Sequence, residues 1–310
     1  MLSFVVVATA ATLPLRLLEW NVYYKALDDE YGRAAITSSI DATGSPLDFV
    51  VLAEAAGDTP AGALAAWPHS SRALTALTSL NATSRFETLA IFYDADRWSA
   101  THLAHGDFEP GRPYMLAHFE HTSDAAPGAS LWVVLVHLPH FLDTKVSPGA
   151  ILANALKSAA ATSGKAVDNI VLAGDWNEFQ WEDNPCRQPY YPKDCREQAR
   201  ARMAPLWDGY FGGRATDIVP QGTVTCCTKW AQEDRHTTSY REWSFEYDHV
   251  FVAGPGMRAA APATLLPYAY PGTAQTCHDA ACTGEEPPAN VTALHQGSWH
   301  RGWVADLLLA

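Results

Sequence analysis

Basic side chains are scarce in this chain. Its 310 residues hold 21 Lys and Arg against 34 Asp and Glu, a formal net charge of −13. That balance argues against a broad cationic surface of the kind that grips nucleic acid regardless of sequence. It leaves room for a site where a bound divalent cation supplies local positive charge, and an acidic surface also suits a secreted protein. No run approaches the roughly 20 apolar residues of a transmembrane helix. No basic tract, heptad run or internal repeat is present, and no Gly/Ser-rich or Pro-rich linker separates two cores. No two cysteines are spaced C-x-x-C, which removes the usual zinc signature.

What is present is apolar and ordered in pattern. With 48% hydrophobic and 11% aromatic residues the chain buries a substantial core and is not disordered. The residues with chemical potential run from position 21 to position 300, so both halves must meet at one site. The expectation is one domain over residues 13–310 behind a leader at 1–12, where Ala8-Thr9-Ala10 resembles a signal-cleavage site. The plainer alternative is an apolar lead-in to the first strand. All six cysteines fall between Cys186 and Cys282, mostly in loops, which favours disulfides and an oxidising compartment. Two sequons, Asn81-Ala82-Thr83 and Asn290-Val291-Thr292, are compatible with glycosylation. Together these features predict a secreted protein; oligomeric state leaves no trace in the sequence.

Hydrophobic patterning predicts strands at Leu17–Asn21, Phe49–Glu54, Glu87–Tyr93, Ser130–Leu138, Val171–Gly174, Trp243–Ala253 and Trp303–Leu309. Helices are predicted over Asp28–Ile40, from Asp58 to Ala66, and from Pro148 to Ser163. The segments Trp176–Arg196 and Ala253–Ser298 read as loops with some local structure. Strands with intervening helices, then a strand- and loop-rich second half, fit two facing sheets with helices outside.

Several of these strands end in a polar side chain. Asn21 closes the first, Glu54 the second, and His137 lies near the end of Trp132–Leu138. Val171-Leu172-Ala173-Gly174 runs into Asp175-Trp176-Asn177, and Ser298-Trp299-His300 precedes the last strand. Each has an ordinary alternative: a turn former at Asn21, a helix cap at Glu54, a core histidine at His137. Asn, Glu, His, Asp-x-Asn and a terminal His, in this order and at strand ends, resemble the endonuclease/exonuclease/phosphatase superfamily, the deoxyribonuclease I-like phosphoesterases. The resemblance spans Trp20 to Asp306.

The resemblance implies an α/β fold, a four-layer α/β sandwich with two mixed β-sheets face to face and helices outside. It implies Mg2+, or Mn2+ or Ca2+, held by Glu54 with Asn21 beside it; magnesium needs only one or two carboxylates because it keeps several waters. Asp175 would orient the attacking water and Asn177 would contact phosphate or metal. His137 and His300 would act on the phosphoryl oxygen or as general acid and base, with Glu87 the carboxylate partner of His137 and Asp248 that of His300. His102, His105, His118, His121 and His140 read as surface or structural.

Three departures from the family pattern bear on function. Trp299 stands where the family's Ser-Asp-His motif carries a metal-binding Asp, Ala53 precedes Glu54 where Gln is common, and Ala56 replaces the arginine with which deoxyribonuclease I reads DNA. Asp306 or Glu178 are candidates to replace the lost carboxylate. The expected activity is metal-dependent hydrolysis of a small or lipid-linked phosphodiester or phosphomonoester. A nuclease is the nearest alternative; it needs cations near the site, for which Arg72, Arg85, Lys229 and Arg241 are the candidates. The third reading is a non-catalytic binding protein on the same fold.

Overall fold

The computed structural model describes residues 12–22, 36–37, 39–41, 43–44, 46–55, 68–69, 72–78, 88–123, 126, 128–141, 143–179, 192–221, 223, 225, 246–266, 268–269, 276–277 and 300–310. Glu87, Trp299, both sequons, the helix expected from Asp58 to Ala66 and the leader up to residue 11 lie outside the described residues.

Two mixed sheets pack face to face. The first contains β1 (Leu13–Asn21), β2 (Phe49–Ala53), β5 (Thr75–Thr78), β6 (Ala90–Tyr93), β13 (Met257–Ala259), β14 (Thr264–Leu265) and β17 (Trp303–Leu309). The second contains β7 (Trp98–Glu109), β8 (Arg112–His121), β9 (Ser130–His137), β10 (Ile170–Asp175), β11 (Thr216–Asp217) and β12 (Asp248–Ala253). Two short pairs stand outside both sheets: β3 (Pro68–His69) with β4 (Arg72–Ala73), and β15 (Tyr268–Ala269) with β16 (Thr276–Cys277). Each large sheet has one central parallel pair, β1 with β2 and β9 with β10, among antiparallel neighbours.

Period-two alternation sorts the side chains. Leu15 and Leu17 of β1, Phe49 and Val51 of β2, Val133 and Leu135 of β9, Val171 and Ala173 of β10, and Val250 and Val252 of β12 form the core between the sheets. The opposite parity of β9 and β10, with Trp132, Val134 and Leu172, packs under two helices, α1 (Pro148–Ser163) and α2 (Cys195–Ala204). The outer face of the first sheet is covered in part by Ile36 and Ile40, which lie in helical backbone. Helix, sheet, sheet, helix is the four-layer arrangement expected.

α1 begins and ends where its sequence says it should. Pro148 fills the first turn, where a missing N–H costs nothing, and Gly164 caps the end in the left-handed region at φ 67°. The long β7–β8 hairpin escaped sequence analysis because β7 is a partly exposed edge strand with little hydrophobic signal. α2 and the π-helical turn Pro205–Tyr210 after it were also missed; α2 is polar and short. Two strands start later than predicted, at Ala90 and Asp248, because the residues before them bond elsewhere. Ala55 N–H takes the Thr88 carbonyl, and Tyr247 N–H takes the Thr225 hydroxyl.

Candidate active site

The same alternation that builds the core carries polar groups to its end. Asn21, His137, Asp175 and Asp248 continue the inward parity of Leu17, Leu135, Ala173 and Val250. Register then sets them in a row, since Asp175 is opposite His137 on one side and Asp248 on the other. Asn21 pairs with Ala53, so Glu54 follows directly beside it. Gly174 makes this close approach feasible. Its φ is 133°, and a Cβ there would lie 2.1 Å from the Val136 carbonyl oxygen.

Glu54 and Asn177 are the two non-glycine residues with positive φ among those described, at 51° and 47°. Such backbone strain tends to gather at functional sites. Asn177 is held by two bonds: its backbone N–H donates to Asp175 Oδ1 at 2.9 Å, and its Nδ2 donates to the Leu138 carbonyl at 2.6 Å. It therefore fixes both Asp175 and the backbone just beyond His137.

Asn21 Nδ2 donates to Glu54 Oε1 at 3.0 Å and to Asp175 Oδ2 at 2.9 Å, joining the two sheets through their carboxylates. Asp175 Oδ2 also faces His137 Nε2 at 3.5 Å and His300 Nε2 at 3.8 Å. His300 Nδ1 sits 2.7 Å from Asp248 Oδ2. Trp20 Nε1 donates to the His300 carbonyl at 2.9 Å, which locks that residue's backbone.

The two imidazoles are driven apart in charge. Burial alone would discharge His300, but Asp248, by charge and hydrogen bond, then Asp175 and Glu54, raise its pKa to about 9. Burial and then the Arg112 guanidinium lower His137 to about 3, against the pull of Asp175 and Glu54. At neutral pH His300 is an imidazolium and His137 is neutral, with Nε2 receiving an N–H from Arg112.

No family model matches the sequence, and no curated protein matches it. Solved structures do. An endonuclease/exonuclease/phosphatase family protein of Bacteroides thetaiotaomicron superposes with a TM-score of 0.59 at 12% identity, covering 97% of each chain. The chain has the endonuclease/exonuclease/phosphatase fold. The mannosyl-6-phosphatase of B. thetaiotaomicron shares that fold with a TM-score of 0.56 at 13% identity, over 94% of this chain and 99% of the other. So does D. rerio TDP2 complexed with single-strand DNA product, with a TM-score of 0.54 at 14% identity, over 95% and 98%.

This fold implies a divalent cation, and the donor set fits one. Glu54 and Asn21 lie side by side and offer oxygen, the donor that magnesium requires. Among the described residues, both Glu19 carboxylate oxygens and Asp248 Oδ1 are buried without a hydrogen-bond partner. Asp175, Asp248 and His300 offer a further group of buried ligand atoms, all within 4.8 Å of one another. Asp306 does not join them. It faces outward, more than half exposed, and pairs with Arg16 at 3.3 Å. The side chains of Glu178, Arg72, Arg85, Lys229 and Arg241 lie outside the described residues.

Two residues of the candidate site went unrecognised in the sequence. Glu19 carried a signal, an acidic residue at inward parity inside the apolar run Leu17-Leu18-Glu19-Trp20-Asn21. It is fully buried; burial first, then Asp248 and Asp175, raise its pKa well above the ordinary range. Arg112 carried only the adjacent Pro110-Gly111 turn signal, and its approach to His137 depends on the undetected β7–β8 hairpin. Two other buried histidines bond within the fold. His118 is buried with Nδ1 2.6 Å from Thr101 Oγ1 and its ring on Trp132. His249 bonds Asp217 Oδ2 at 2.7 Å through Nδ1 and faces the Glu246 carbonyl at 3.0 Å through Nε2.

Proposed function

We propose that this chain is a divalent-metal-dependent phosphoester hydrolase of the secretory pathway, acting on a small or lipid-linked phosphodiester or phosphomonoester. The observation that carries the reading is the convergence of Asn21, Glu54, His137, Asp175 and the Asp248–His300 pair from six separate segments. Phosphoester cleavage needs stabilised phosphoryl oxygens, an oriented water and a route for protons. His300, kept charged by Asp248, offers an N–H to a phosphoryl oxygen. Asp175, fixed by Asn21 and by the Asn177 backbone N–H, accepts a proton from the attacking water and aligns it. Arg112 adds a second cation on the opposite side of Asp175, where His137 lies. A cation held by Glu54 and Asn21 would polarise the phosphoryl group when bound.

The acidic balance of the chain favours a small substrate over a polynucleotide, whose backbone needs a basic track. The disulfide at buried Cys195 supports an oxidising compartment. Hydrolysis of bis-(p-nitrophenyl) phosphate, p-nitrophenyl phosphate and plasmid DNA, each with magnesium, calcium or chelator, tests the proposal. Metal-dependent cleavage of a small ester that Asp175→Ala abolishes is the expected result. Cleavage of plasmid alone would favour the nuclease. Wild-type silence on all three, with Trp299→Asp switching activity on, would favour the binding-protein reading.

A further inference from the structure

Arg112 lies at the start of β8, just past the turn at Pro110–Gly111, on the hairpin that forms the free edge of the second sheet. An edge hairpin is bonded along one side only, so its tip needs support from elsewhere if a side chain there is to hold position. That support comes from the loop following His137. Thr144, 1% exposed, donates its hydroxyl to Glu109 Oε2 at 2.6 Å and accepts the Val146 N–H at 3.2 Å. Glu109 is the residue directly opposite Arg112 in the β7–β8 register. A hydroxyl-to-carboxylate bond of this length is charge-assisted and among the stronger kinds.

The loop is itself anchored from two sides. Asn177 Nδ2 holds the Leu138 carbonyl at 2.6 Å. From α2, Arg202 donates to the Thr144 carbonyl at 2.9 Å and lays its guanidinium 4.5 Å over the Phe141 ring. Ser147 Oγ closes the connection by donating to the Arg202 carbonyl at 2.6 Å. A continuous chain of contacts thus runs from α2 through the 138–147 loop to the hairpin that carries Arg112.

We propose that Thr144 and Glu109 form a latch that positions Arg112 as the phosphoryl-binding arm of the site. The inference rests on the phosphoesterase reading for the role of Arg112, and on geometry alone for the latch. Thr144 and Glu109 are positioning residues; neither need touch substrate. Displacing a clamp by about 1 Å can cost on the order of 100-fold, so a latch outside the site can govern affinity within it.

The test uses Thr144→Val, which keeps shape and loses the hydroxyl, with Thr144→Ser and Glu109→Gln as variants that retain a bond. Thr144→Val is expected to raise KM and weaken inorganic phosphate binding by roughly 5- to 30-fold while kcat changes less than about threefold. Thr144→Ser should stay near wild type, and Glu109→Gln, whose bond is no longer charge-assisted, should fall between wild type and Thr144→Val. In an Arg112→Ala background Thr144→Val should have no further effect on phosphate binding, because the coupled contact is already gone. Amide hydrogen exchange over residues 108–113, measured without ligand, gives a readout independent of activity. Faster exchange there in Thr144→Val supports the latch even if the wild type cleaves no phosphoester, in which case only the functional reading fails. Unchanged exchange, or Thr144→Val binding phosphate as wild type does while Arg112→Ala does not, overturns it.

Discussion

Asp248 Oδ2 holds His300 Nδ1 at 2.7 Å, and Asp248 is also the cross-strand partner of Asp175. One residue therefore sets the charge of an imidazole and shares a rung with the carboxylate that faces that imidazole's other nitrogen at 3.8 Å. Asp248→Asn keeps the shape and loses the charge. It should lower kcat by roughly 10²- to 10⁴-fold, the range associated with a positioned acid–base group, with a circular dichroism spectrum unchanged from wild type. Retained activity would show that His300 does not depend on its partner.

The raised His300 pKa has a defined consequence for stability. A group whose folded-state pKa lies above its unfolded value stabilises the fold below the unfolded pKa and loses that contribution as pH rises through the folded one. For His300 the window runs from its ordinary 6.5 to about 9. Urea midpoints should fall across that interval in wild type and change less in His300→Asn. Turnover should decline near the upper limit as the imidazolium loses its proton, which a pH–rate profile reads directly.

Among the described residues Glu19 has no donor for either carboxylate oxygen, and it lies close enough to Asp248 and Asp175 to feel both charges. Burial and these neighbours raise its pKa above the ordinary value, so its ionised form opposes folding increasingly as pH rises. Glu19→Gln should melt higher than wild type by several degrees near pH 8 and by less near pH 5, since about 1 kcal/mol moves Tm by roughly 2–4 °C at this size. The comparison is made in chelator, where no cation offsets the charge. Equal melting temperatures at both pH values would refute the account.

Gly174 lies between the apolar part of β10 and the candidate row of polar residues at its end. A methyl group there meets the Val136 carbonyl at 2.1 Å in a backbone conformation that side chains avoid. Gly174→Ala should therefore push β10 from β9 at the rung joining Asp175 to His137. Loss of most activity and a lower Tm are expected, with hydrogen exchange faster at Val136 and Asp175. A fully active, equally stable variant would mean that the strand accommodates the methyl group.

Residues whose position follows from local pattern were legible in the sequence. Asn21 and Asp175 each terminate an apolar run on its inward parity, so their facing could be read from one strand at a time, whereas Asp248, inside a strand expected from Trp243 to Ala253, was singled out by the family resemblance. α1 was legible for the same local reason, Pro at its start and Gly at its end. Arg112 was not: Pro110-Gly111 beside it marks a turn, but β7 buries few side chains and its pairing with β8 contains register shifts, so the strand leading into that turn gave little signal. Asp306 illustrates the converse. It was a candidate to replace the carboxylate lost at Trp299, yet its parity in β17 turns it to the opposite face, beside Arg16.

The sequence by itself determined the core strands with strong apolar runs and most of the polar residues at their ends, because such runs are properties of a segment. Only the tertiary structure decided the register that sets Asp175 between His137 and Asp248, and the opposite charges of the two imidazoles. It also decided the hidden Glu19 and the arm that carries Arg112. Those depend on which strands become neighbours and how closely they approach, quantities fixed by packing over the whole core rather than by any stretch of the chain.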